Sequence, residues 1–177
     1  MPFSSPRLLR GVLALLPAGI ALPATAAHFE VQGGRSYMDS HGANAAFVEA
    51  TFAPHAIGQS GRLEWSPDVS AGWIDRRDLP RYRNADYPTD RSVALLAAGA
   101  RFHYGAPDAW YRPLFFSFQL AGTNRTTQGL SSHYQFVSTL GWQGKHLSLQ
   151  IRHISNGGFN GPNHGETMAL VGVGFDF

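Results

Sequence analysis

The chain predicts an all-β fold, and within that class an eight-stranded antiparallel transmembrane β-barrel. Three observations carry the prediction. Eight segments alternate apolar with polar or small residues at a period of two, which gives a strand one greasy face. The segments run to about ten residues, the length of a tilted strand crossing a bilayer. The last of them ends on Phe177, and a terminal aromatic is a common feature of bacterial outer-membrane barrels. A water-soluble sandwich alternates too, but hides its apolar face inside. A membrane barrel turns that face outward and collects aromatics near its strand ends, as here.

The first strand, about Phe29 to Ser36, is weakened by Gly33 and Gly34. The second sets Ala46, Val48, Ala50 and Phe52 against Glu49 and Thr51. The third sets Leu63, Trp65, Ala71 and Trp73 against Arg62, Glu64 and Ser70, and Pro67 predicts a bulge or break within it. In the fourth, Leu96, Ala98, Ala100, Phe102 and Tyr104 are in phase. The fifth carries Leu114, Phe116, Phe118 and Leu120 opposite Ser117 and Gln119, and the sixth carries Tyr134, Phe136, Leu140 and Trp142 opposite Gln135 and Thr139. The seventh runs Leu147, Leu149, Ile151, His153, Ser155 on one face. The eighth sets Ala169, Val171, Val173, Phe175 and Phe177 against Met168, Leu170, Gly172 and Asp176. A barrel of eight strands has an interior filled by side chains, so a transport pore is not expected.

Residues 1–27 read as a secretory signal. Arg7 and Arg10 precede an apolar run from Gly11 to Leu22, and Ala24-Thr25-Ala26 offers a small-residue cleavage site. Residues 28–177 then form one domain, the barrel. The signal contains two arginines and no acid, so the formal charge of +2 falls to about zero in the mature chain and gives no argument for nucleic acid. Without cysteine there is no disulfide framework, thiol nucleophile or cysteine metal site. Beyond the signal, no stretch approaches the ~18 apolar residues of a membrane-spanning helix.

The chemistry concentrates in the seventh strand and the loop after it. His153 and Ser155 point where Leu147, Leu149 and Ile151 point, about 7 Å apart by strand rise. A serine becomes a nucleophile when a neighbouring base takes its proton and a third group orients that base. His153 is the expected base and Ser155 the nucleophile, on a face whose substrate arrives from the apolar side. Glu166 is the nearest acid across the Asn156–Gly165 loop. The outward phase counted back from Ala169 falls on Thr167, so Glu166 must be turned outward by a bulge or by the irregular loop entry. Asn156 and the amides of Gly157 and Gly158 are the expected oxyanion donors. The loop is also rich in turn-forming residues, which by itself accounts for most of its composition. His164 has no partner at metal-ligand spacing, and His41, His55, His103, His133 and His146 read as loop, rim or lumen residues.

The run Arg152-His153-Ile154-Ser155-Asn156-Gly157-Gly158, followed by Pro162-Asn163 and Gly165-Glu166, resembles the outer-membrane lipid A 3-O-deacylases of the PagL family. The resemblance implies an eight-stranded barrel whose Ser/His/Glu triad sits on the outer surface near the external leaflet and removes the ester-linked acyl chain at the 3-position of lipid A. It places the histidine on His153, the nucleophile on Ser155 and the oxyanion asparagine on Asn156, and it puts the acid at Glu166 or one residue beyond, where this chain has Thr167; Glu166 is the expected acid, which leaves Thr167 dispensable.

The expected protein is therefore a cofactor-independent, metal-free esterase of the bacterial outer membrane. Its partner is lipid A or lipopolysaccharide, and a homodimer is left open. With both termini periplasmic, Gln143-Gly144-Lys145 is a periplasmic turn, and the segments Ile74–Arg91 and Asn156–Gly165 lie outside. Arg76, Arg77, Arg81, Arg83 and Arg91 suit lipid A phosphates. The same segment also reads as a solvated loop neutralised by Asp75, Asp78, Asp86 and Asp90. Competing functions are an outer-membrane phospholipase or acyltransferase, and a non-catalytic barrel serving as anchor or adhesin.

Overall fold

Alternating side chains give a strand two chemically distinct faces, and here the strands satisfy both by curling into a ring. A computed structural model describes residues 28–177; the expected signal, 1–27, lies outside the described residues. Its strands are β1 (His28–Met38), β2 (His41–Thr51), β3 (His55–Ile57), β4 (Leu63–Ile74), β5 (Val93–Tyr104), β6 (Leu114–Thr123), β7 (Tyr134–Gln143), β8 (Leu147–Ser155) and β9 (Glu166–Asp176). All pairings are antiparallel. The order β2-β1-β9-β8-β7-β6-β5-β4-β3 is closed by β2 pairing with β4. Setting aside the three-residue β3 leaves the eight expected barrel strands.

The added strand and Pro67 explain each other. Above Pro67, β4 pairs with β2, from Asp68 opposite Thr51 to Ile74 opposite Ala45. Below it, Leu63 to Trp65 pair with β3 instead. Pro67 lacks an N–H and sits where the partner changes, and its carbonyl still accepts from the Phe52 amide at 2.9 Å. No break results. The first strand is likewise complete despite its glycines. A Cβ on Gly34 would stand 1.9 Å from the Ala169 carbonyl oxygen, so glycine is what lets β1 and β9 approach there.

Outward residues such as Leu96, Leu120, Leu140, Leu149 and Ile151 are more than half exposed. The lumen is filled in two layers. Toward the end with the β4–β5 and β8–β9 loops, called the upper end, it holds Phe47, Ile74, Leu95, Val137, Ile154 and Met168. Below lies a charged layer. Glu49 is clamped by Arg101 Nη2 at 2.9 Å and by Arg152 Nη2 at 2.8 Å, and Ser117 donates to Asp68 at 2.6 Å. The guanidiniums also cover rings, Arg101 over Phe115 at 4.0 Å and Arg152 over Phe47 at 4.5 Å. Side chains occupy the bore, so the barrel is a packed scaffold.

Taking away one of its two guanidiniums leaves the buried Glu49 carboxylate only partly compensated. Arg152→Leu should lower barrel stability by about 3 kcal/mol, read as an earlier midpoint in urea titrations of the detergent-folded protein.

Candidate active site

β8 leaves the barrel wall carrying two kinds of side chain. Arg152, Ile154 and, just past the strand, Asn156 are buried inside; Ile151 and His153 are exposed on the outer wall and Ser155 is half-buried there. His153 and Ser155 thus share the apolar-facing side that their phase predicts. Among the described residues no hydrogen bond joins the two directly. His153 Nδ1 lies 2.9 Å from Thr167 Oγ1, which leaves Nε2 as the nitrogen available to a serine. The β8–β9 register makes this contact: His153 pairs with Thr167, and Ile154 with Glu166.

Glu166 does not reach His153. It follows the inward phase of β9 without a bulge and is 2% exposed. Its carboxylate is held by Arg77 through Nη1 and Nη2, both at 2.7 Å, and by the Ser36 hydroxyl at 2.5 Å. Arg77 also donates to the Ser36 and His41 carbonyls. The expected outward turn of Glu166 is corrected accordingly: a buried carboxylate on a guanidinium fork has no reason to leave it. Thr167, expected to be dispensable, is the residue beside the base. Strand parity was the signal for it.

Asn156 also departs from expectation. Its amide nitrogen donates to Asn160 O at 2.7 Å and to the Ser131 and Ser132 hydroxyls, each at 3.1 Å. Its Oδ1 accepts from the Gly158 amide at 3.0 Å, and its own amide donates to Asn163 Oδ1 at 3.0 Å. The Asn156 side chain and the Gly158 amide therefore hold the loop together. Of the three expected oxyanion donors, the Gly157 amide is not engaged in these bonds. The β8–β9 loop is further tied to the β6–β7 loop by backbone bonds from His164 to Gln128 at 3.0 Å and from Gly165 to Gly129 at 2.9 Å. Gly165 has φ of 74°, and a Cβ there would lie 2.8 Å from the His153 ring, so only glycine brings the loop back so close to the imidazole.

Aromatic side chains border the serine. Ser155 pairs across strands with Phe136, which stacks on Phe118 at 6.1 Å and meets the edge of Phe159 at 6.3 Å. Below the imidazole, the outer wall opens into an apolar groove of about 790 Å³ lined by Gly33, Leu140, Leu149, Ile151, Ala169 and Val171. Three of the five arginines of the β4–β5 loop face carboxylates, one of these within the loop itself. Arg83 donates to both Asp78 oxygens at 2.9 Å, bonds that hold the exposed Asp78 carboxyl below its ordinary range. Arg81 sits 3.8 Å from Asp39 and over Tyr82, and Arg77 is committed to Glu166. Of the four acids expected to neutralise this segment, Asp78 alone meets one of its arginines, while Asp75 is bonded by Asn44 and Trp73. Among the described residues no cluster of His, Cys, Asp or Glu has the makings of a metal site.

Residues 58–176 match the family described as Lipid A 3-O-deacylase (PagL). The chain belongs to the PagL family. That makes it an outer-membrane lipid A deacylase, a hydrolase built on a barrel. The fold agrees with the crystal structure of the outer membrane enzyme PagL, at a TM-score of 0.55 and 14% identity, over 84% of this chain and 98% of that one. Among curated proteins none matches the chain. Family membership favours the deacylase over the phospholipase, acyltransferase and anchor readings.

Replacing Arg77 with Ala should strand the Glu166 carboxylate and lower stability by about 3–5 kcal/mol. Glu166→Gln should cost less, and its deacylation should fall only with the folded fraction, measured by heat-dependent gel mobility beside turnover. Loss of turnover in fully folded Glu166→Gln would return Glu166 to the chemistry.

Proposed function

We propose that this PagL-family barrel hydrolyses the 3-O-acyl ester of lipid A from the external leaflet, with Ser155 as nucleophile and His153 as base. The observation that carries the reading is the pair itself. Two polar side chains able to do acyl-transfer chemistry stand on the lipid-facing wall, above an apolar groove. A substrate that diffuses sideways in the leaflet meets them directly, and its acyl chain fits the groove beneath Ile151 and Ala169.

In the first step His153 Nε2 accepts the Ser155 proton as Oγ attacks the ester carbonyl, and the Gly157 amide faces the developing oxyanion. Collapse releases the sugar hydroxyl, which takes the proton from the imidazolium. Water, deprotonated by the same nitrogen, then attacks the acyl-serine and frees the fatty acid. The third member is Thr167. Its hydroxyl accepts from Nδ1–H, fixing the tautomer that leaves Nε2 as base, the orienting part of the role usually given to an acid. Glu166 supports this from within, because its hold on Arg77 keeps the start of β9 in phase and so keeps Thr167 outward.

Mass spectrometry of lipid A from cells expressing the protein tests the reading, with each variant compared at matched outer-membrane levels. Ser155→Ala and His153→Ala should each cut deacylation by at least about a thousand-fold while leaving the barrel folded. Full deacylation by Ser155→Ala would eliminate the mechanism.

The threonine is tested separately. Thr167→Val should lower kcat about ten-fold with little change in KM, since an orienting hydrogen bond of ~1 kcal/mol or more is lost. Thr167→Ser should retain most of the rate. A Thr167→Val enzyme of full activity would remove Thr167 from the mechanism.

A further inference from the structure

The outer wall of the barrel carries one formally charged side chain among the described residues of its eight long strands, Arg35 on β1. Every other Asp, Glu, Lys or Arg of these strands falls on the inward phase, as Glu30, Glu49, Asp68, Arg101 and Arg152 do. A guanidinium on a lipid-facing wall is unfavourable unless something there balances it. Arg35 has no carboxylate as a direct partner among the described residues. Nη1 donates to the neutral Asn44 Oδ1 at 2.8 Å, and Asn44 in turn donates to Asp75 Oδ2 at 3.1 Å. Trp73 Nε1 braces the same Asp75 at 3.0 Å. The chain of bonds aims the arginine without neutralising it, since Asn44 stands between the charges.

Its place relative to the candidate site is fixed by register. Tyr37, Thr167 and His153 form one cross-strand row, and Arg35, Ala169 and Ile151 form the outward row beneath it. Two strand spacings separate Arg35 from β8, about 10 Å along the wall. Arg35 also lines the groove that Ile151 and Ala169 line. A lipid whose ester lies at Ser155 and whose chain lies in the groove brings its sugar within reach of this fork. Guanidinium geometry matches a phosphate monoester, with two parallel N–H donors for two oxygens. The arginines of the β4–β5 loop are weaker candidates, because Arg77, Arg81 and Arg83 already face carboxylates and neither they nor Arg76 and Arg91 line the groove.

We propose that Arg35, aimed by Asn44, is a substrate-recognition residue that binds a sugar phosphate of the lipid A being deacylated. The inference rests on the deacylase reading and adds what selects the substrate: an acylated sugar bearing a phosphate close to the ester.

The test compares phosphorylated lipid A with the same lipid A stripped by phosphatase, using the protein folded in neutral detergent, and reads the ratio of the two kcat/KM values. Wild type should prefer the phosphorylated form about ten-fold, and Arg35→Gln should bring the ratio close to one. Arg35→Lys should keep part of the preference, and Asn44→Ala should lose part of it. A merely structural role would lower both rates and leave the ratio alone, so an unchanged ratio in folded Arg35→Gln overturns the assignment. Millimolar inorganic phosphate should leave the wild-type ratio intact; abolition of the preference would assign Arg35 to free phosphate and overturn the lipid role. If wild type hydrolyses both forms equally, this inference alone fails. If it hydrolyses neither, the deacylase reading fails with it.

Discussion

Backbone hydrogen bonding in a medium without water is the constraint from which the rest of this molecule follows. Every strand N–H and C=O needs a partner, and a sheet with free edges leaves two rows unpaired. The pairing of β2 with β4 removes those edges. It forces each strand to present one face to lipid and one to the bore, and it makes residue parity the rule that decides where any side chain points. β3 lies outside the ring, continuing the β4 ladder where Pro67 ends the pairing with β2.

Once the ring is closed, its interior must be filled, and this chain fills it unevenly. Apolar residues occupy the upper part, while Glu49, Asp68, Arg101 and Arg152 interlock below. Two guanidiniums on one carboxylate recover part of the desolvation that burial imposes, and the stacked Phe115 and Phe47 rings take up more of their surface. The Arg77–Glu166 pair closes the top. Because Arg77 comes from the long β4–β5 loop and Glu166 begins β9, the same contact anchors a loop and sets a strand's phase.

The outer wall shows the converse economy. His153, Ser155, Thr167, Arg35 and Asn44 are polar groups that an inert barrel would not place there, and they gather on β8, β9, β1 and β2, neighbours in the ring. Their proximity owes nothing to sequence distance. β1 and β9 come from opposite ends of the chain, and only closure sets Tyr37 beside Thr167 and Arg35 beside Ala169.

The amino-acid sequence alone determined the eight strands, the outward side of His153 and Ser155, and the absence of a pore, because all three depend on period-two patterning that any strand must obey. It also pointed to the family, through a short run of residues around the serine. Three matters depended on tertiary structure. Glu166 and Thr167 are adjacent in sequence, and parity favoured the threonine, but whether a bulge reversed that order turned on Arg77, a residue 89 positions away whose fork holds Glu166 inside. Asn156 has the right chemistry for an oxyanion donor, yet its amide is consumed by Ser131, Ser132 and Asn160, which a linear reading does not bring together. Arg35 is visible in the sequence as a charge on the apolar phase of a glycine-weakened strand. Its meaning emerged only when closure of the barrel carried it to within two strands of the serine, since a cross-strand neighbour is set by the register of the whole ring and not by any local pattern.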